Sequence, residues 1–340
     1  MNEQKRHHRV VVRKHGGPEV LRVIEEPVPT PGEGEVRVRA LAAGVSGMDL
    51  MVRAHSFPGF PKVPFTPGVD VVGVIEELGP GVVGLEPGTR VAALIGDDGG
   101  YAETLCLPAV RAVPLPDGLA AAEAASVVTN YLTAYTMLHR AAHVESGERI
   151  LIHGAAGGVG TALLELGTMD GLEMYGTASK HNHDLVASFG AIPIDYRAED
   201  FVARIRELTG EGVDAVFDPI GGARQLWQSQ RALRSGGRLV WFGVAGTETR
   251  GIKVIPESLL VRLLIAVLPN GKKAPMPPDV SEPNEWYRET LALLLDYAST
   301  GKISPVIAKR FPLLEARQAH EFMEQHRYAG KVVLVDGTPG

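Results

Sequence analysis

The chain has 340 residues and a formal net charge of −6, from 34 Lys and Arg against 40 Asp and Glu. That length is generous for one domain and comfortable for two, and an acidic balance without a long basic run argues against a general nucleic-acid or membrane-surface binder. Cys106 is the only cysteine, so no intrachain disulfide can form, which fits a reducing cytoplasm.

The N-terminus is charged and polar and lacks the apolar core of a secretory signal. His7-His8, between Arg6 and Arg9, reads as a solvated terminus. Up to about Leu119 the chain is rich in Val, Gly and Pro, with short alternating runs such as Glu35 to Ala40 and Val71 to Ile75. These predict strands separated by turns. Between Ala120 and Arg140 closely spaced Ala and Leu predict a helix, entered through Pro116-Asp117-Gly118. From Arg149 strands and helices alternate, as in a parallel sheet covered on both faces. The strands are expected at Arg149–His153, Met174–Thr177, Ile192–Asp195, Val213–Asp218 and Arg238–Phe242. The helices between them are expected at about Gly160–Asp170, His183–Phe189, Phe201–Leu208 and Arg224–Arg234. The apolar run Leu259–Leu268 is broken by Arg262 and too short to span a bilayer, so a buried helix or a subunit contact is expected there. Pro269 to Pro283 has no periodicity and reads as a loop. Two more helices, Trp286–Ser299 and Glu315–Arg327, precede a last strand at Lys331–Val335. The expected domains are 1–127 with 284–340, rich in β structure, and 128–283.

The most informative stretch is Ile150-Leu151-Ile152-His153-Gly154-Ala155-Ala156-Gly157-Gly158-Val159-Gly160, an apolar strand entering a glycine turn and then a helix. Gly157 lets backbone approach a pyrophosphate, and Gly160 lets the helix pack on its strand. The helix N-terminus offers N–H groups and a positive dipole end to phosphate. An acid at the end of the second strand would grip the free ribose of NAD. Here Met174 to Lys180 contains none, and Asp184 comes too late. Ser179 and Lys180 can instead bind or neutralise a 2′-phosphate, so NADPH is favoured over NADH.

The arrangement resembles the medium-chain dehydrogenase/reductase superfamily over nearly the whole chain. The matching pieces are Ala43-Gly44-Val45-Ser46-Gly47-Met48-Asp49, Pro67-Gly68-Val69-Asp70, Gly88-Thr89-Arg90-Val91, Gly99-Gly100-Tyr101-Ala102-Glu103, the glycine turn, and Gly330-Lys331-Val332-Val333-Leu334. Within it, Asn130 to Tyr135 and Gly212 to Gly222 are similar to the zeta-crystallin-like quinone oxidoreductases and their vesicle amine transport protein branch. The resemblance implies an α/β fold: a GroES-like β-rich catalytic domain, completed by the chain end, plus a Rossmann domain with a doubly wound parallel sheet.

Zinc-dependent relatives hold their metal with a cysteine matched here by Ser46 and a histidine matched by Val69, and their structural zinc lobe needs four cysteines. Neither site is expected to form, so no metal ligands are assigned. Without a Lewis acid, the accessible chemistry is hydride delivery from NADPH to a quinone or an α,β-unsaturated carbonyl compound, with a hydrogen-bond donor and a proton source at the developing oxyanion. By this resemblance Asp49, Tyr131, Ser46 and Tyr101 face the reacting centre. Asp49 can equally hold a turn, and Tyr131 can be a buried aromatic with one hydrogen bond. The resemblance further implies cofactor contacts from Gly157, Gly158, Val159 and Gly160 to the pyrophosphate and from Ser179 and Lys180 to the 2′-phosphate. Tyr196 would meet the adenosine side, and Phe242, Gly243 and Val244 the nicotinamide. Phe57 takes the place of a family tyrosine and Ser46 that of a family asparagine. Those two losses, with no obvious acid, leave an alternative: an NADPH-binding sensor, scaffold or RNA-contacting protein with little turnover. A homodimer is expected from the Leu259–Leu268 run, which is costly to expose.

Overall fold

The computed structural model describes residues 5–56, 62–96, 99–245, 251–325 and 327–337. The chain divides into two compact units, Met1–Leu132 with Val280–Gly340, and Thr133–Asp279.

The first unit is built on strands whose side chains alternate between core and surface. Strands β1 (Arg6–Val12) and β2 (Leu21–Pro27) form an antiparallel pair. A larger sheet has the order β13 (Ile307–Pro312), β14 (Lys331–Val335), β3 (Glu35–Val45), β4 (Asp70–Leu78), β5 (Arg90–Leu94) and β7 (Val113–Pro114), with β6 (Thr104–Pro108) also on β3. Strand β3 buries Val36, Val38 and Ala40 and turns Arg37 and Arg39 outward, the period-two pattern of a strand with one buried face. Those residues join Val71, Ile75, Val332 and Leu334 in the core. Helix α1 (Gly47–Arg53) follows β3, and α2 (Ala121–Tyr135) contains the boundary between the units.

The second unit contains a five-stranded parallel sheet, with the order β10 (Ile192–Asp195), β9 (Glu173–Ala178), β8 (Arg149–His153), β11 (Val213–Asp218), β12 (Leu233–Trp241). The order turns back between β8 and β11, which creates the crevice in which dinucleotides bind in doubly wound sheets. Helices α3 (Gly158–Met169), α4 (His183–Ser188), α5 (Phe201–Thr209) and α6 (Ala223–Ala232) connect the strands. Strand β8 is buried on both faces through Ile150, Leu151 and Ile152, as a central parallel strand must be. Helix α5 starts where the Asp200 carboxylate accepts from the Val202 and Ala203 N–H groups, at 2.9 and 3.3 Å. Helix α7 (Val254–Val267) packs on this unit, while α8 (Glu285–Ser299) and α9 (Ala316–Glu324) belong to the first.

Several expectations need correction. Helix α3 begins at Gly158, two residues before the expected start, because Gly157 already acts as its N-cap. Strand β12 begins at Leu233, five residues early. The helix after Ala120 is regular only to Tyr135 and continues as a π-helix through Ala142. Helix α9 stops at Glu324. The run Leu259–Leu268 is helical but not a buried helix. Val254, Ser258, Val261 and Ile265 face inward, whereas Leu260, Leu263 and Val267 are 58%, 65% and 77% exposed.

Candidate active site

In the second unit, β8 delivers the chain to Gly154, and the turn closes with the Gly157 N–H donating to the Gly154 carbonyl at 2.9 Å. No side chain caps Gly157, so the first N–H groups of α3, on Gly158, Val159 and Gly160, begin the helix without a protein side-chain acceptor at its N-cap. A side chain at Gly160 would place its Cβ 2.7 Å from the Ala155 carbonyl carbon. Glycine is therefore required there by the contact of helix and turn.

Beneath the turn runs a buried polar chain. His153 Nδ1 lies 3.0 Å from Thr177 Oγ1 and its Nε2 lies 3.1 Å from Ser229 Oγ, which donates to Asp218 at 2.8 Å. Burial lowers the proton affinity of His153, against the opposing charge of Asp218. Asp218 also accepts from the Ile220 and Gly221 N–H groups, at 2.8 and 3.0 Å, which shapes the turn after β11.

Ser179 and Lys180 follow β9, while Tyr196 follows β10 and is 51% exposed. The structure brings Ser179 and Tyr196 together, with their hydroxyls 3.3 Å apart. It adds a residue the sequence reading missed: Arg197 donates to the Tyr196 hydroxyl at 3.3 Å and lies over its ring. Tyr196 and Arg197 line a cavity of about 430 Å³ with His153, Phe201, Arg224 and Gln225, at the carboxyl ends of β8, β10 and β11. Phe242, Gly243 and Val244 follow β12. There the Phe242 N–H donates to the Asp218 carbonyl at 3.1 Å, and a Cβ on Gly243 would lie 2.6 Å from the Pro219 carbonyl oxygen.

In the first unit, Ser46 is the N-cap of α1 and Asp49 its third residue, joined in a reciprocal capping box. The Asp49 carboxylate is buried. One oxygen accepts from the Ser46 N–H at 2.7 Å and the Ser46 hydroxyl at 2.8 Å, and the other from the Gly68 N–H at 3.0 Å. Burial raises the proton affinity of Asp49 above the ordinary carboxylate range, although the Ser46 hydrogen bonds and the Lys331 charge oppose it. Ser46 itself is half-buried, so it is the member of this group that reaches the surface. Tyr131 is buried on α2, two residues beyond Thr129. Phe57 lies outside the described residues.

Asp70 is fully buried and forms an ion pair with buried Lys331 at 3.3 Å. It also accepts from the Gly44 N–H and the Thr129 hydroxyl. A Cβ on Gly44 would fall onto the Lys331 ammonium and the Asp70 carboxylate, so the strand must carry glycine there. Lys331 was another residue missed, although a lysine opening the apolar run Lys331–Val335 was the available signal. Among the described residues, no group of three or more His, Cys, Asp or Glu side chains is placed to hold a metal ion. Ser46 caps a helix, the Asp49 carboxylate accepts from three donors and Asp70 is paired with Lys331, so this donor set does not fit zinc.

Two family models match the chain: "Alcohol dehydrogenase GroES-like domain" over residues 32–117 and "Zinc-binding dehydrogenase" over residues 190–334. The quinone oxidoreductase of Rattus norvegicus is 30% identical over 329 residues, covering 95% of this chain and 96% of the relative. The human synaptic vesicle membrane protein VAT-1 homolog is 30% identical over 340 residues, covering 96% of this chain and 86% of the relative. A mycobacterial protein solved in complex with NADPH superposes with a TM-score of 0.84 at 32% identity, covering 97% of this chain and 99% of that one. With both matched domains in order and 30% identity sustained along the relative, the chain belongs to the medium-chain dehydrogenase/reductase superfamily, in its quinone oxidoreductase group, and is an oxidoreductase.

Proposed function

We propose that the protein is an NADPH-dependent reductase of quinones or α,β-unsaturated carbonyl compounds that works without a metal ion. The observation that carries this reading is the uncapped glycine turn at the switch point of the parallel sheet, flanked by Ser179, Lys180, Tyr196 and Arg197 and by no acid at the end of β9. The mycobacterial neighbour bound to NADPH supports the same cofactor. Backbone N–H groups of Gly158, Val159 and Gly160 would hold the pyrophosphate, and Lys180 and Arg197 the 2′-phosphate. Phe242, Gly243 and Val244 would pass beside the nicotinamide. When bound, this cofactor supplies the hydride.

The chain must then deliver one proton to the oxygen on which negative charge develops. Ser46 and Asp49 suit that task. While Asp49 is a carboxylate, the Ser46 hydroxyl points into it at 2.8 Å. Once Asp49 is protonated it donates to Ser46 instead, and the Ser46 proton turns toward the acceptor oxygen. Ser46 gives its proton to the product oxygen and takes the Asp49 proton, leaving a carboxylate that solvent reprotonates after release. Tyr131 serves in this reading as a wall of the substrate site. The non-zinc part is supported by the donor set, in which Asp49 and Asp70 are already occupied.

We also place this activity in the cytoplasm, on the strength of the single free cysteine. Among the described residues, no helix is long and apolar enough to cross a membrane. A homodimer is supported by the exposed apolar side of α7. The deciding experiment is a screen that follows NADPH absorbance with quinones, enones, enoyl thioesters and simple alcohols, each with and without a chelator. Oxidation confined to the conjugated acceptors and indifferent to the chelator is expected. Turnover that needs zinc, or a preference for simple alcohols, refutes the reading. Tight NADPH binding with no turnover across the panel selects the sensor or scaffold alternative.

A further inference from the structure

The second unit holds another cavity, of about 350 Å³, between α5, the last turn of α6 and the chain that follows α7. Its walls carry three cations, Arg206, Arg231 and Lys272, and one carboxylate, Asp200. Asp200 is the one residue it shares with the cavity beside Tyr196. The hydride chemistry uses none of the three cations.

Two of these cations are held in place by neutral groups. Arg206 donates to the Arg231 and Leu233 carbonyls, at 2.8 and 3.2 Å, and to the Glu211 carbonyl, while Lys272 Nζ donates to the Gln230 carbonyl at 2.8 Å. These bonds close the C-terminus of α6. A carbonyl, however, cancels no full charge. Among the described residues none of the three cations has a carboxylate partner. Glu207 pairs with Arg204 and Glu211 with Arg149, and the Asp200 carboxylate is held by the N–H groups that begin α5. A helix C-terminus contributes about half a negative elementary charge, so even with Asp200 added the cavity keeps an excess of positive charge. That excess acts on Lys272, whose proton affinity is lowered by burial and then by the charge of Arg206. Like charges pinned side by side are relieved by an anion placed between them.

A second observation is independent of charge. Gln230 lines the same cavity and is only 5% exposed. Among the described residues its side-chain amide has no hydrogen-bond partner, and it stays open to the cavity. Buried amides are almost always paired. This one has two N–H donors and an acceptor left for whatever enters.

We propose that this cavity is a second anion site, separate from the glycine turn, in which Arg231, Lys272 and the Gln230 amide bind the oxygens of a phosphate group and Arg206 adds its charge from behind. The volume falls in the range of small-molecule sites and exceeds what one phosphate fills. It leaves room for the hydroxyl-bearing remainder of a small phosphomonoester, with Asp200 as an acceptor at the edge. Inorganic phosphate shares the same recognition chemistry.

The test titrates the full chain, without cofactor and at constant ionic strength, with inorganic phosphate and separately with glycerol 3-phosphate. Nitrogen NMR follows the side-chain signals of Gln230 and Lys272. Saturable shifts of both signals are expected, together with a rise in the proton affinity of Lys272 as the anion arrives, and glycerol alone should move neither. Two variants are read through the Gln230 signal. Lys272→Gln keeps a donor for the Gln230 carbonyl, and Arg231→Gln removes a side chain that no other group in the fold needs. Each should weaken binding about tenfold, the worth of one hydrogen bond to a charged group. Tighter binding of glycerol 3-phosphate than of inorganic phosphate supports a phosphomonoester as the ligand, and equal affinities support the free anion. Shifts that never saturate, that chloride reproduces, or that persist undiminished in both variants overturn the proposal. Phosphate held only at the glycine turn leaves both signals in place, which refutes the second site without touching the cofactor reading.

Discussion

The buried pair of Asp70 and Lys331 gives a quantitative test of how the first unit is held together. Asp70 is completely enclosed, and Lys331 is 3% exposed. Replacing Lys331 by Met keeps the length of the side chain and removes its charge. The carboxylate then keeps only the Gly44 N–H and the Thr129 hydroxyl as partners. An uncompensated buried charge of this kind costs about 3–5 kcal/mol, a large part of the ~5–15 kcal/mol that holds a domain folded. Converting Asp70 to Asn in the same chain removes the stranded charge while its amide oxygen still accepts from Gly44. The double variant should therefore be more stable than Lys331→Met alone by about 2 kcal/mol, a strong departure from additivity. Urea unfolding followed through Trp286, in a chain with Trp227 and Trp241 replaced by Phe, reports on this unit, because Trp286 is then its only indole. If the two single losses simply add, or if Lys331→Met costs less than about 1 kcal/mol, the pair is not the electrostatic closure inferred from its burial.

Three further outcomes are expected. His320 is neutral when folded, with its proton affinity lowered from 6.5 to about 3, so the unfolded chain binds its proton first on acidification. Its contribution is complete above about pH 6.5 and is lost as pH falls toward 3. At pH 4.5 the loss is about 3 kcal/mol, at ~1.4 kcal/mol per pH unit. His320→Asn should show a shallower acid dependence in calorimetry, and equal slopes for the two proteins would refute the buried neutral imidazole. Lys180→Ala combined with Arg197→Ala should raise the KM for NADPH by at least about tenfold, roughly 1.4 kcal/mol, and leave that for NADH nearly unchanged. Equal losses with both cofactors would show that these cations do not read the 2′-phosphate. Finally, Leu260→Glu with Leu263→Glu on α7 should convert a sedimenting dimer to monomer. A wild-type chain already monomeric at micromolar concentration contradicts the dimer.

Much of the architecture was legible from local pattern. Four of the five parallel strands in the second unit lie within one residue of their expected limits, because strands buried on both faces leave short, unbroken apolar runs such as Ile150–Ile152 between turn residues. The exception, β12, begins in Leu233-Arg234-Ser235-Gly236-Gly237, where polar and glycine residues hide an extended backbone. Helix α7 was legible as a helix but not as half-exposed. A run apolar on all sides carries no mark of which side meets the core.

The sequence by itself determined the class of fold, the glycine turn and the missing acid that bear on a phosphorylated nucleotide, since each depends on neighbours a few positions apart. Only the tertiary structure decided that Tyr101, His320 and Arg53 form a buried chain, that Asp70 is neutralised by Lys331, and that Arg197 stands over Tyr196. His320 is 267 positions from Arg53, and Lys331 is 261 from Asp70. A hydrogen bond or ion pair has no period along the chain. The energy of burying an unpaired charge selects these partners after the strands and helices have brought them within reach.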